Sequence, residues 1–201
     1  MVMSNIFAIF APWIFTFGSS KRIKGVNNTT DIELMQRVVK GDEAALRTLI
    51  ERYRERLYRL AYNLLGDASA EDAVQETFIR LWTRARRYDS RHSLSTWLYT
   101  LCCRRCYDEL RRRRRHREMM AQLSDTMIDV STMEADELRA LLQQATLTLP
   151  PKQRIVYQLR EVEGLSTEET AVAARMTVEQ VKANLWAART TVREKLKQYG
   201  I

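Results

Sequence analysis

Residues 94–117 read LSTWLYTLCCRRCYDELRRRRRHR, and this stretch decides the fold class because helical spacing sorts it into two unlike faces. At about 100° per residue, Leu94, Leu98, Cys102, Cys106 and Leu110 share one side, with Leu101 beside them. Apolar residues at that spacing need a partner surface, so the stretch is predicted to be a core helix, with Ser95 as its N-cap. On the other side stand Arg104, Tyr107, Arg111 and Arg115, with Thr100 next to them. A row of arginines with a ring among them suits nucleic acid: guanidinium groups neutralise phosphates, and a ring stacks on an unpaired base. A solvated basic helix end has the same composition, and the pattern alone leaves both readings open. Arg105 falls near the apolar face and fits neither.

The chain has 201 residues, room for two small domains. A hydrophobic content of 45% with 29% charged residues describes a soluble globular protein, and six glycines and three prolines speak against an all-β fold. The formal net charge is +8; from Ser95 to Arg117 eight arginines face only Asp108 and Glu109, a local +6, so most of the excess sits in one helix. A polyanionic partner is the economical reading. Cys102, Cys103 and Cys106 lie within one helical turn, too close for unstrained intrachain disulfides, and imply a reducing cytoplasm. A zinc or thiol-redox site using Cys103-x-x-Cys106 with His92 and His116 is disfavoured. Cys103 points away from the face shared by Cys102 and Cys106, and no second cysteine pair exists. Core packing of small polarisable side chains is preferred, so no metal and no cofactor are expected.

Upstream, residues 1–29 form an apolar N-terminal extension. Its run IFAIFAPWIFTF at 6–17 is too short to span a bilayer and is broken by Pro12. It is expected to be disordered or to lie outside a native start near Val26. From Thr30 the pattern turns helical. Thr30-x-x-Glu33 is a capping box for a short helix that Gly41 closes, and Asp42 caps a longer one. That longer helix carries the apolar stripe Leu46, Leu49, Ile50, Tyr53, Leu57, Leu60, Ala61 and Leu64. A third helix over 70–82, AEDAVQETFIRLW, is predicted to bury Val74, Phe78, Leu81 and Trp82 and to turn Asp72, Gln75, Glu76 and Ile79 outward. Acids beside an exposed apolar residue fit a contact with a basic protein surface, although many such clusters are merely solvated.

Residues 30–117 thus make one four-helix domain. Residues 118–136 hold acids and no Lys or Arg, an acidic linker. Residues 137–201 make a second, smaller helical domain. Leu149-Pro150-Pro151 starts a helix with Ile155, Val156 and Leu159 on its inner side. Ser166-x-x-Glu169 and Thr177-x-x-Gln180 then cap two further helices across a tight turn at Arg175-Met176, the spacing of a helix-turn-helix. In the last helix Val178, Val181, Leu185, Ala188 and Val192 form the buried stripe. Glu179, Lys182, Ala183, Trp186 and Ala187 face outward with Gln180 and Asn184 at the edge. Small residues among amide, basic and indole groups suit a major groove. The fold class predicted is all-α: two small helical domains joined by an acidic linker, the second a helix-turn-helix.

Three stretches carry a resemblance: AEDAVQETFIRLW, STWLYTLCCRRCYDELRRRRR and LPPKQRIVYQLREVEGLSTEETAVAARMTVEQVKANLWAARTTVREKL. In order and spacing, from about Asp31 to Tyr199, the chain resembles bacterial RNA polymerase sigma factors of the extracytoplasmic-function group. The resemblance implies a factor that binds core RNA polymerase, directs it to specific promoters and assists promoter melting. It further implies that Asp72, Gln75, Glu76 and Ile79 meet the β′ clamp, with β as a further contact. Trp97, Thr100, Arg104, Tyr107, Arg111 and Arg115 would hold minus-ten DNA. Glu179, Gln180, Lys182, Ala183, Asn184, Trp186 and Ala187 would read minus-thirty-five DNA. An anti-sigma factor is expected as a further partner, with a cytoplasmic location or retention by that partner at the inner membrane.

A stand-alone helix-turn-helix regulator is the alternative, but it has no need of an acidic helix and an aromatic, basic single-strand ridge in its first domain. An enzyme is not expected, and no small-molecule substrate is implied. No phosphate loop, metal-ligand set or nucleophile with its base is legible in the chain.

Overall fold

The computed structural model describes residues 30–121 and 137–198. The apolar run at 6–17, the expected start near Val26 and nearly all of the acidic segment lie outside the described residues. Within them the chain is helical, with no strand. The first group comprises α1 (Asp31–Val39), α2 (Glu43–Leu65), α3 (Ser69–Arg84) with a 3₁₀ turn at Ala85–Arg87, and α4 (Leu94–Ala121). The second comprises α5 (Glu137–Leu147), α6 (Pro151–Tyr157) with a wide π turn at Gln158–Val162, α7 (Thr167–Ala174) and α8 (Val178–Gln198).

The helix starts follow from local side-chain chemistry. Thr30 and Glu33 satisfy each other's backbone N–H groups at 2.7 and 3.3 Å, and Asp42 accepts from Ala44 and Ala45 N–H at 2.9 and 3.1 Å. Ser166 and Glu169 repeat the box at 2.8 and 3.0 Å. At α4 the cap is Ser93 and not Ser95: the helix begins at Leu94, so Ser95 already lies in the first turn, and the Ser93 hydroxyl accepts from Thr96 N–H at 3.2 Å. Gly66 ends α2 at φ 78°, left-handed backbone that costs a glycine little.

The whole predicted apolar face of α4 is buried, as are Leu101 and the full stripe of α2. It packs against α2 and α3, with Phe78 and Leu81 at the centre. Trp82, expected inside, stays half-buried at the edge. Each fully buried Leu or Phe contributes about 1.5–3 kcal/mol, against about 1 kcal/mol for a cap, so packing decides the arrangement.

The second group has small clusters of its own, Ala145, Leu149, Ala188 and Val192 in one and Val156, Val181 and Leu185 in another. Val178, expected in that stripe, is half-buried. Ile155, Leu159, Leu165 and Ala173 instead join the main core, where α6 and α7 lie against α4. This contact corrects the reading of Cys103. Helical spacing turns it off the main face, yet it is 2% exposed, because the second domain supplies the wall that covers it. Polar ties line the same boundary. Arg154 Nη1 donates to Leu64 O at 2.7 Å, Asn63 Nδ2 to Gln158 Oε1 at 3.2 Å, and Tyr99 Oη to Glu163 Oε2 at 2.7 Å. Arg154 also donates to Leu149 O at 3.1 Å and to Leu147 O, so one buried guanidinium fork joins the end of α2 to the start of α6.

Candidate nucleic-acid interface

The arginines of α4 fall into two sets. Glu109 is buried and accepts from Arg112 at 2.8 and 3.1 Å, from Arg113 Nε at 3.1 Å and from Arg105 Nη1 at 3.4 Å. Those guanidinium groups, Arg112 foremost, hold its carboxyl at about 2. Arg105, unexplained by spacing, belongs here. Arg113 continues to Leu65 O at 3.1 Å and Asp67 Oδ1 at 3.0 Å, closing the turn between α2 and α3. Arg104, Arg111 and Arg115 form the second set: all three are exposed and make no ion pair among the described residues. Cations without internal partners are available to phosphates.

The remaining α4 residues are less open. Tyr107 is half-buried and packs against the main core. Thr100 is half-buried and its hydroxyl donates to Thr96 O at 2.8 Å. Trp97 is half-buried with its ring 5.4 Å from that of Tyr88, tilted by 47°. The loop before α4 is organised around this pair. Tyr88 Oη donates to His92 O at 2.9 Å, and Asp89 accepts from Arg91 N and Nε at 3.0 and 2.8 Å, which draws its carboxyl down to about 2.

On α3, Asp72 is exposed while Gln75, Glu76 and Ile79 are half-buried on the same side. Glu76 accepts from Arg80 Nε at 2.7 Å, and part of Ile79 packs on the core. On α8, Glu179, Gln180, Lys182 and Ala183 are exposed, Asn184 and Ala187 are half-buried, and Trp186 is 73% exposed. Thr177 and Gln180 cap the helix reciprocally at 3.1 and 3.2 Å, which commits the Gln180 side-chain carbonyl; Asn184 Nδ2 donates to Gln180 O at 2.7 Å. The backbone N–H of Glu179 and the Thr177 hydroxyl hold the Glu179 carboxyl below its ordinary range. The turn before α8 places Arg175 at φ 54°, left-handed backbone that costs a residue with a side chain about 1–2 kcal/mol.

The fold brings parts of the two candidate DNA surfaces together. Cys103, Arg104 and Tyr107 from α4 face Lys152, Arg175 and Gln180 across a cleft of about 310 Å³. Sequence reasoning missed Lys152 and Arg175 as members of this cationic rim, since nothing in one dimension connects them to α4. The Cys103 thiol is pushed well up by burial, and Cys102 Sγ faces Leu57 O at 3.9 Å. Both belong to packed interior. Among the described residues, no three His, Cys, Asp or Glu side chains converge as metal ligands. No helix among them is long and apolar enough to cross a membrane.

Comparison with known proteins agrees with this layout. Residues 49–116 match sigma-70 region 2 and residues 139–192 match sigma-70 region 4. The extracytoplasmic-function sigma factor SigW of Bacillus subtilis is 29% identical over 177 residues, 81% of this chain and 95% of the relative. SigE of Mycolicibacterium smegmatis is 32% identical over 172 residues, 80% and 66% of the two chains. The fold is also that of the sigma factor RpoE solved in complex with the anti-sigma factor NepR from Bartonella quintana. That likeness has a TM-score of 0.62 at 23% identity, covering 75% of this chain and 96% of that one. With both regions present in order, joined to the helical layout around α4, the chain belongs to the extracytoplasmic-function group of bacterial sigma factors.

Proposed function

We infer that this chain is a sigma factor: it binds core RNA polymerase, directs it to specific promoters and assists promoter melting, and an anti-sigma factor is its regulatory partner. The observation that carries the reading is the pairing of a region 2 match over α2–α4 with a region 4 match over α5–α8 in one chain. A stand-alone regulator would not need the first. The exposed Arg104, Arg111 and Arg115 support a minus-ten role for α4, with Trp97, Thr100 and Tyr107 beside them. The exposed side of α8 supports a minus-thirty-five role for Glu179, Gln180, Lys182, Ala183, Asn184, Trp186 and Ala187. Asp72, with Gln75, Glu76 and Ile79, is the surface we assign to the β′ clamp. The factor has no catalysis of its own in this reading, and it works in the cytoplasm, where polymerase and promoter are.

Copurification with core polymerase followed by sequencing of the bound DNA tests class and target together. The expected result is a stoichiometric complex enriched in a two-part promoter motif. DNA bound without polymerase, at single sites, would replace the sigma reading with that of a regulator.

A further inference from the structure

Arg175 sits in left-handed backbone, φ 54°, at the turn between α7 and α8, a conformation that glycine takes at little cost and a residue with a Cβ does not. Among the described residues it is the one non-glycine residue with positive φ. Strain of this kind clusters where a side chain is needed at a fixed point, as at ligand clamps. The fold itself makes no use of the charge: Arg175 has no ion pair among the described residues, and it lines the 310 Å³ cleft beside α4.

Its companions in that cleft are of one kind. Arg104 from α4 and Lys152 from α6 line it too, both exposed and both without an ion pair among the described residues. Gln180 commits its side-chain carbonyl to Thr177 N–H at 3.1 Å, so its amide N–H groups are what it has left to offer. Tyr107 adds a half-buried ring, and the buried Cys103, Ile155 and Ala173 supply an apolar floor. Asp108 is the single acid of the lining and pairs with none of the three cations. Three like charges held around one concavity repel one another, and an anion that only accepts hydrogen bonds removes that cost.

Size and placement select among anions. A volume of 310 Å³ lies at the small end of ligand clefts. A lone phosphate is too compact to meet cations delivered by α4, by α6 and by the turn before α8 at once, whereas a chain of phosphates has the reach. The Tyr107 ring beside it offers a face to a base.

We propose that this cleft is a polyphosphate site: Arg104, Lys152 and Arg175 hold a diphosphate or triphosphate group, free or carried by a nucleotide, and Gln180 donates at its edge. The site goes beyond the sigma-factor reading and does not depend on it. Its consequence does, because Arg104 and Tyr107 are also assigned to the minus-ten strand, so that ligand and single strand compete for them.

The test is calorimetric titration of the full-length chain with tripolyphosphate, ATP and adenosine, in about 0.15 M salt without divalent cations. Tripolyphosphate and ATP are expected to bind one to one, and adenosine far more weakly. Tighter binding of ATP than of tripolyphosphate identifies a nucleotide as the ligand and equal binding a free polyphosphate; either upholds the site. Lys152→Gln and Arg175→Gly should each weaken tripolyphosphate about fivefold or more, since each removes a charge-assisted contact. Arg175→Gly also relieves the left-handed backbone, so its melting temperature should not fall, which separates lost binding from lost folding. Arg47→Gln, an equal loss of charge at an exposed position outside the cleft, should leave the affinity unchanged. Absence of tripolyphosphate binding, several anions per chain, or equal weakening by Arg47→Gln overturns the proposal. Tripolyphosphate should also displace a fluorescent oligothymidylate from the wild-type chain. Oligothymidylate that stays bound alongside tripolyphosphate upholds the site and removes Arg104 and Tyr107 from the minus-ten reading instead.

Discussion

Glu109 Oε1 accepts from Arg113 Nε at 3.1 Å, and Arg113 Nη1 in turn donates to Leu65 O at 3.1 Å, so one buried carboxylate fixes both the basic helix and the last turn of α2. The Glu109 carboxyl is held at about 2, below its ordinary 4.5. A depressed acid stabilises the fold above its unfolded value, and the contribution disappears as pH falls through the folded one. Glu109→Gln is expected to lose about 2 kcal/mol at neutral pH. Its deficit against wild type should shrink between pH 4.5 and about 2. Urea denaturation at a series of pH values checks this; a deficit independent of pH would show that the carboxylate charge is not what holds the network.

Trp186 is 73% exposed on α8. Trp186→Ala should therefore change stability by no more than about 0.5 kcal/mol while weakening binding to duplex promoter DNA. Lys182→Ala should weaken binding as well, through a lost cationic contact. Thermal melts and anisotropy titrations separate the two effects. A large fall in melting temperature for Trp186→Ala would place the ring inside the domain.

Asp72 is exposed, and Glu76, one turn on, pairs with Arg80 at 2.7 Å. Asp72→Lys alone, and the double change with Glu76→Lys, should weaken competition for core polymerase with little loss of helicity, because exposed charge reversals cost little folding energy but oppose a basic partner. Equal competition by wild type and both variants would leave this face merely solvated.

Arg104, Arg111 and Arg115 have no ion pairs to lose among the described residues. Replacing any two by Ala is expected to flatten the plot of log affinity against log salt by roughly 1.4–1.8, about 0.7–0.9 per phosphate contact. Tyr107 carries no charge, so Tyr107→Ala should leave that slope alone. If its ring stacks on a base, the change costs about 1–3 kcal/mol in single-strand binding and slows promoter opening. Unaltered opening kinetics would move strand capture to the Tyr88–Thr96 stretch that leads into α4.

What the sequence by itself determined is local and periodic. The reciprocal boxes at Thr30–Glu33, Ser166–Glu169 and Thr177–Gln180 depend on residues three apart, and the α2 and α4 stripes on residues three and four apart. The order of the two regions is likewise written in the chain. What only the tertiary structure decided are contacts between residues far apart in sequence. Arg105 is explained by a buried Glu109 that also serves Arg112 and Arg113. Cys103, off the predicted core face, is buried because a second domain arrives 50 or so residues later, along with Arg154, Gln158 and Glu163. Periodicity gives the direction in which each side chain points along its own helix; which partner it meets there depends on how the helices pack, and that is set by the summed burial of all of them.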